Sequence, residues 1–176
     1  MPSIPYAIDP THTSVHFSVR HLMVSNVRGE FTKLTGTVKF DPEKLENSSV
    51  EATIDATSIS TRDPQRDGHL KSADFLDAEK FPSIAFRSRK IETHSGGGKI
   101  TGDLTIHGVT REIVLDVEGP TPEIKDPCGK QRIGASATAK LNRKDFGLTW
   151  NAALETGGVM VGDEVKITID VEVVRA

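Results

Sequence analysis

The chain is short of almost everything that marks a catalyst, a nucleic-acid binder or a membrane span. It has one cysteine, Cys128, in 176 residues, so no internal disulfide can form and nothing asks for an oxidising compartment. It has no basic excess: the formal net charge is −3, which argues against a polyphosphate partner held by bulk electrostatics. No apolar run approaches the length that crosses a bilayer, so stable membrane insertion is not expected. The opening "MPSIPYAIDPTHTSVHF" shows neither a basic n-region nor an apolar h-region, and the expected location is cytoplasmic. Aromatics are few, with seven Phe, one Tyr and one Trp. A chain this long is expected to form one domain, residues 1–176, with a substantial core.

What the chain does have is alternation. Val15, Phe17 and Val19 oppose His16, Ser18 and Arg20, and Gly36, Val38 and Phe40 oppose Thr35, Thr37 and Lys39. The same period of two recurs through 50–57, 84–89, 99–106, 112–118, 132–141 and 164–173. These are about eight strands, each apolar on one face, with a short piece near Tyr6–Ile8 adding to an edge. One-sided strands belong to antiparallel sheets. Short connections agree: "HSGGGK" and "HGVT" read as hairpin turns and "DPEKLENSS" as a short loop. The expectation is an all-β fold, an eight-stranded antiparallel barrel whose closure removes exposed edges. Only residues 62–82 break the pattern. Ser72 as N-cap, an apolar stripe of Leu70, Ala73, Phe75 and Leu76, and a stop at Pro82 suggest one or two short helices capping one end.

Strand parity sorts the connections. Segments 21–30, 61–82, 107–110 and 142–162 fall at one end, and 41–49, 94–98 and 120–131 at the other. The first end gathers Arg20, His21, Arg28, Arg62, Arg66, His69, His107, Arg111, Arg143 and Lys144; the second carries Asp41, Glu43, Glu46, Glu92, Glu118, Glu123 and Asp126. Singly, the cations read as solvated loop charge among Glu30, Asp63, Asp67 and Asp145. Together they mark a mouth suited to a polar or anionic head group, with Arg20, Arg62, Arg66, His69, Arg111 and Arg143 as the candidates.

The stretch "RIGASATAKL" sharpens the reading, because Ala135, Ala137 and Ala139 put bare methyl groups on the buried face. Gly36, Ala52, Ala56 and Gly102 add to the small inner set. An eight-stranded barrel is just wide enough either to be filled by side chains or to hold one small ligand. Unfilled apolar volume costs about 24 cal/mol per Å³. One reading is a long narrow tunnel holding a slender hydrocarbon, each methylene contributing roughly 0.8 kcal/mol. Its expected lining is Phe17, Val19, Val38, Phe40, Ile54, Phe86, Leu104, Ile106, Leu115, Ala135, Ala137, Ala139, Ile167 and Ile169. The other reading is that Phe17, Phe40, Phe86, Trp150 or the capping helix fills the gap from across the barrel.

Candidate chemistry is thin. His12 and His16 lie roughly 13 Å apart on a strand, too far for a shared zinc. His12 is instead expected as a buried hydrogen-bonding residue near Asp9. His21, His69 and His107 share the mouth and are expected as hydrogen-bonding loop residues, with a metal-binding trio the lesser alternative. "SGGGKI" lacks the spacing of a phosphate loop and leads into a strand. Residues 157–163, "GGVMVGD", read as a flexible approach to the last strand. Cys128 sits in a turn without a partnering histidine, so a nucleophile is not expected. In "NRKDFGLTW", Phe146 and Trp150 are expected to tuck into the barrel end, Gly147 to reverse the chain, and Arg143 to reach toward a head group. No catalytic set, metal set or cofactor motif stands out.

Taken in order, "DPTHTSVHFSVRH", "VRGEFTKLTGTVKFD", "RDGHLKSADFLDAEKFPSIAF", "GDLTIHGVTREIVL" and "RKDFGLTWN" resemble the YceI-like, polyisoprenoid-binding family over essentially the whole chain. Thr13 stands where that family usually has serine, and the leader carried by many exported relatives is not seen. The resemblance implies an extended lipocalin-like barrel holding a long isoprenoid, as a polyprenyl phosphate or an isoprenoid quinone, in a non-catalytic carrier that is frequently a homodimer. Stress tolerance and isoprenoid-quinone metabolism are the roles usually attached to it. An enzyme acting on a lipid through mouth His and Asp residues, and a packed barrel serving only as an interaction module, are the competing readings.

Overall fold

A computed structural model describes residues 3–22, 24–151 and 160–176. Twelve strands appear among them: β1 (Ile4–Ile8), β2 (Ser14–His21), β3 (Ser25–Phe31), β4 (Leu34–Phe40), β5 (Ser49–Asp55), β6 (Ile59–Ser60), β7 (Ser83–His94), β8 (Gly97–Ile106), β9 (Val109–Glu118), β10 (Ile124–Lys125), β11 (Gln131–Asn142) and β12 (Val161–Arg175). One helix, α1 (Pro64–Lys71), interrupts them. Every pairing is antiparallel, and the sheet closes on itself where β11 runs beside β12 from Arg132↔Val174 to Asn142↔Glu164.

The eight-stranded reading survives in an unexpected form. β1 and β2 both pair with β12, along its lower and upper halves. β4 pairs with β1 and β5, while β3 pairs with β2 and β6. The first six strands are therefore three interrupted tracks, β1 with β2, β3 with β4, and β5 with β6, which join β7, β8, β9, β11 and β12 to make the ring. Two of the interruptions have the same chemistry. The Asp9 and Asp55 carboxylates accept the N–H groups of Thr11 (3.0 Å) and Thr57 (2.9 Å), two residues on, and so offer the backbone a turn in place of the ladder.

Two expectations are corrected here. Residues 21–30 are not a connection: β2 includes His21, and residues 25–30 belong to β3, whose alternation of Val27, Gly29 and Phe31 is masked by glycine on the inner face. A Cβ at Gly29 would lie 2.5 Å from the Phe17 ring, so the neighbouring aromatic fills that slot. The Tyr6–Ile8 piece is a ring member, not an edge addition, pairing on both sides.

The helical insertion also differs in detail. Asp63, not Ser72, caps α1, accepting from the backbone N–H groups of Gln65 (3.0 Å) and Arg66 (3.2 Å), with Pro64 in the first turn. Ser72 ends the helix, its hydroxyl donating to the His69 carbonyl at 2.5 Å. Phe75, Leu76 and Ala78 follow in consecutive turns and are buried, Leu76 and Ala78 in one cluster with Ile59, Ile84, Leu104 and Ile106, and Phe75 against the rings of His69 and Trp150. The insertion thus seals the rim where β6 and β7 diverge. Both hairpin turns are confirmed, between β7 and β8 and between β8 and β9. His107 (φ 56°) and Gly108 (φ 72°) have the paired left-handed conformations of a two-residue hairpin turn.

The ends sort as parity required. The turn after His21, the insertion, the 107–108 turn and the segment after Asn142 share one rim, because His21 pairs with Val161, Asn142 with Glu164 and Asp55 with Ser83. The connections after Phe40, His94 and Glu118 lie at the other.

Candidate functional site

A cavity of about 720 Å³ lies inside the ring, within the usual range for small-molecule sites. Its wall follows the period of two. Val165, Ile167, Ile169, Val171 and Val173 of β12 all face it, as do Ile133, Ala135 and Ala137 of β11. The five β12 rungs alone span about 26 Å along the strand at about 3.3 Å per residue. Phe17 and Val19 of β2 line it beside β12 and Leu115 of β9 beside β11, and the rest of the wall is Val38 and Phe40 of β4, Ala52 and Ile54 of β5, Phe86 of β7, and Leu104 and Ile106 of β8. Among the described residues, charged lining groups sit only near the rims: Arg20, Arg66 and Arg143 at one, Glu92 and Lys99 at the other. The space runs the length of the barrel with an apolar waist.

Thirteen of the fourteen residues expected to line a tunnel do line this cavity. Ala139 does not: it is buried with Leu115 and Ala137 and its methyl group is covered by neighbouring apolar side chains. Other small residues were likewise misread as hollow space. A Cβ at Gly102 would lie 2.5 Å from the Phe86 ring, and one at Gly36 would lie 2.6 Å from Ile8 Cδ1. Ala56 is buried in the same cluster as Leu76 and Phe146 and does not line the cavity. Part of the alanine and glycine surface is therefore filled by neighbours, as the packed alternative required, while Ala52, Ala135 and Ala137 leave room along the axis.

The mouth cations divide sharply. Arg20, Arg66, His69 and Arg143 contribute to the lining; Arg62 and Arg111 do not. Arg62 is exposed in the turn before α1, and Arg111 is exposed on β9, donating to the Thr110 carbonyl at 3.0 Å. Arg66 is committed to its own loop, donating from Nε to Thr61 Oγ1 (2.8 Å) and from a terminal nitrogen to the Thr61 carbonyl (2.7 Å).

Arg143 corrects the sequence reading most clearly. It is 3% exposed and donates to the carbonyls of Gly162 (2.8 Å), Leu148 (2.7 Å), Trp150 (2.9 Å) and Val161 (3.3 Å). Burial pulls its guanidinium below the usual value, with Asp163 acting against that shift. It clamps the segment after β11 to the start of β12: four of its five N–H groups are taken by carbonyls, and Asp163 lies 3.8 Å from the nitrogen that carries the fifth. Phe146 is buried and Gly147 adopts φ 77°, as the motif suggested. Residues 152–159, which include the start of "GGVMVGD", lie outside the described residues; Met160 and Val161 line the cavity.

Two of the three mouth histidines, His69 and His107, are held by neighbours, while His21 lines the cavity. His69 Nε2 meets Asp74 at 2.9 Å, and its ring lies edge-on to Trp150 (4.8 Å between centroids) and Phe75 (5.1 Å). His107 Nδ1 meets the Phe146 carbonyl at 3.2 Å. Among the described residues, the only group at metal-ligand spacing is Asp9, His12 and Glu172, at the far end. A guanidinium already holds that place: Arg132 donates to Asp9 (2.7 Å), Asp126 (2.6 Å) and Glu172 (3.4 Å). His12 does bond Asp9, at 2.8 Å, but it is exposed and not buried as expected, because the 9–13 interruption swings out of the ladder. Arg132 holds the Asp9 carboxyl well below its ordinary range, and Asp9 in turn raises His12. Asp126 also accepts the backbone N–H groups of Cys128 (2.8 Å) and Lys130 (2.9 Å), which fixes the exposed Cys128 turn as scaffold. No signal in the sequence pointed to Arg132, which lies on an outer strand position 123 residues from Asp9.

Fold and cavity together define a lipocalin-like antiparallel barrel with an elongated apolar interior. The YceI-like domain profile matches residues 6–173, and the chain belongs to that family. A UPF0312 protein of Staphylococcus aureus is 38% identical over 167 residues, covering 95% of each chain. The YceI protein of Campylobacter jejuni is 35% identical with a TM-score of 0.74, covering 89% of this chain and 90% of that one. A polyisoprenoid-binding domain from Saccharophagus degradans shares the fold at 14% identity, with a TM-score of 0.70, covering 98% and 99%.

Proposed function

We propose that the protein binds a long-chain isoprenoid lipid in the barrel cavity and carries or shields it without chemical change. The observation that carries this reading is the apolar waist of the cavity of about 720 Å³, lined on β12 by five alternate aliphatic residues and opposite them by Ala52, Phe86 and Leu104. A branched, flexible hydrocarbon suits such a wall, since each buried methylene contributes roughly 0.8 kcal/mol with no polar partner required. The name of the Saccharophagus domain supports the same ligand class.

The rim narrows the choice of head. With Arg143 and Arg66 committed to backbone carbonyls and Arg62 and Arg111 off the lining, few donors remain for a pyrophosphate. A neutral or singly charged head, of isoprenoid-quinone or polyprenyl monophosphate type, fits better. Cytoplasmic residence and a homodimer complete the proposal, checked by cell fractionation and by light scattering during gel filtration.

The test is gentle purification from two expression hosts, then organic extraction and mass spectrometry. A prenyl lipid near one per chain is expected. Bulk phospholipid in proportion to host membranes, or no lipid at all, overturns the proposal.

A further inference from the structure

The cavity reaches the surface at the far rim as well as at the near one. Its lining there includes Glu92, Thr93, Lys99 and Pro120, all exposed, with Leu45 of the single turn Leu45–Asn47. Among the described residues four glycines line the cavity, Gly97, Gly98, Gly119 and Gly134, and all lie at or next to this rim. A Cβ at Gly97 would collide with the Val117 carbonyl oxygen, and one at Gly98 with that of Glu92. Neither position can therefore carry a side chain across the opening. Just inside, Val50, Ile91, Ile100 and Val117 continue the aliphatic wall outward.

The polar side chains that line this end are engaged by the protein itself. Glu92 meets Lys90 at 2.6 Å, and Lys99 lies 4.0 Å from Asp116. Thr93 Oγ1 donates to Glu46 (2.9 Å), and Ser48 Oγ accepts the Asp41 N–H (2.9 Å). Such an opening suits the end of a hydrocarbon, which asks for no hydrogen-bond partner.

Length decides whether a tail gets that far. The β12 residues that line the cavity run from Val161 to Val173, about 40 Å of strand at about 3.3 Å per residue. Barrel strands are inclined by about 40° to the axis, so the tunnel is about 30 Å long. An isoprene unit adds four carbon–carbon bonds and advances about 5 Å. About six units fill the barrel.

We infer that the far rim is an exit for the tail: a chain of more than about six isoprene units threads the barrel and leaves its ω-end outside. The protein then sets a minimum chain length and no maximum. This deepens the binding reading and rests on it. Units inside the barrel are buried and units past the rim stay in water, so affinity climbs with length until the barrel is spanned and is level beyond.

In the experiment, the full chain as purified is exchanged against an excess of an equimolar mixture of geranylgeraniol, hexaprenol, solanesol and decaprenol, and the retained ratio is read by mass spectrometry. Geranylgeraniol is expected at roughly one tenth of hexaprenol or less, and the three longer alcohols within about threefold of one another. Leu45→Trp and Val117→Trp put a ring at the far opening and lower the ratio of solanesol to geranylgeraniol roughly tenfold. Thermal melts confirm folding, with Leu45→Phe as the milder replacement should Leu45→Trp melt early. Solanesol bearing biotin at its ω-end is retained, and streptavidin captures the loaded complex. Exclusion of decaprenol roughly tenfold or more against hexaprenol, a ratio unmoved by the ring-bearing variants, or a loaded complex that streptavidin does not capture each overturns the inference. In those cases retained hexaprenol leaves the binding reading standing. Retention of no prenyl alcohol defeats the binding reading itself, and the exit with it.

Discussion

Arg132 and Arg143 are the two guanidinium groups that the barrel uses as fasteners, one at each end. Arg132 ties the 9–13 interruption, the Cys128 turn and β12 together through Asp9, Asp126 and Glu172. Because Arg132 depresses the Asp9 and Asp126 carboxyls, their contribution to stability is present above the unfolded value of 3.8 and is lost as pH falls toward the folded values. Arg132→Met is expected to lower the melting temperature at neutral pH, with the gap to the parent closing below about pH 4. A gap that stays constant down to about pH 2 would mean that the network is not ionic. His12 has the opposite sign. Asp9, followed by Glu172, raises it above 6.5, so its contribution is full below that value and disappears as pH rises through the folded one. His12→Gln should melt earlier than the parent near about pH 5 and level with it near about pH 9. Arg143 is the costlier loss. Arg143→Ala strands four carbonyls and should destabilise by about 3 kcal/mol or more, read by denaturant unfolding, with Arg143→Lys recovering only part.

At the scale of the element, β11 decides whether the barrel is hollow. Ala135 and Ala137 face the axis beside their β12 partners Val171 and Ile169, while Ala139 is covered. Ala135→Phe and Ala137→Phe should therefore abolish retention of a prenyl lipid while costing no more than about 1–3 kcal/mol of stability, since the ring has space to enter. Retained lipid in both would place the cargo elsewhere. The alternation that makes β11 legible in sequence also made most of the ring legible. It failed where glycine replaced an inner residue, as in β3 at Gly29, and where an aspartate turned the chain mid-track, as at Asp9 and Asp55. Helix α1 was displaced for a related reason. The apolar residues after Ser72 face the core from consecutive turns, and periodicity by itself does not distinguish those from another helical turn. Small inner residues were ambiguous in the same way, because a glycine that admits a neighbour's ring, as Gly102 admits Phe86, reads the same as one that leaves a void.

At the scale of the molecule, the two rims differ in what they have left over. The far rim is laced by ion pairs and by the Tyr6 hydroxyl donating to Glu123, while the near rim carries the aromatic cover of His69, Phe75 and Trp150 and the exposed side chains of Leu22 and Val24. Parity placed those rims correctly from sequence, because antiparallel order depends only on counting strand reversals. It could not assign roles to the cations there, since a buried arginine satisfied by carbonyls and one facing a ligand have the same letter in the chain. The central claim is the filled apolar axis, and a crystal structure of the protein as purified tests it most directly. The account predicts continuous tubular density between Ala135, Ile167 and Ile169 on one side and Ala52 and Phe86 on the other. Side chains closed across that space, or an ordered column of water along it, would contradict it.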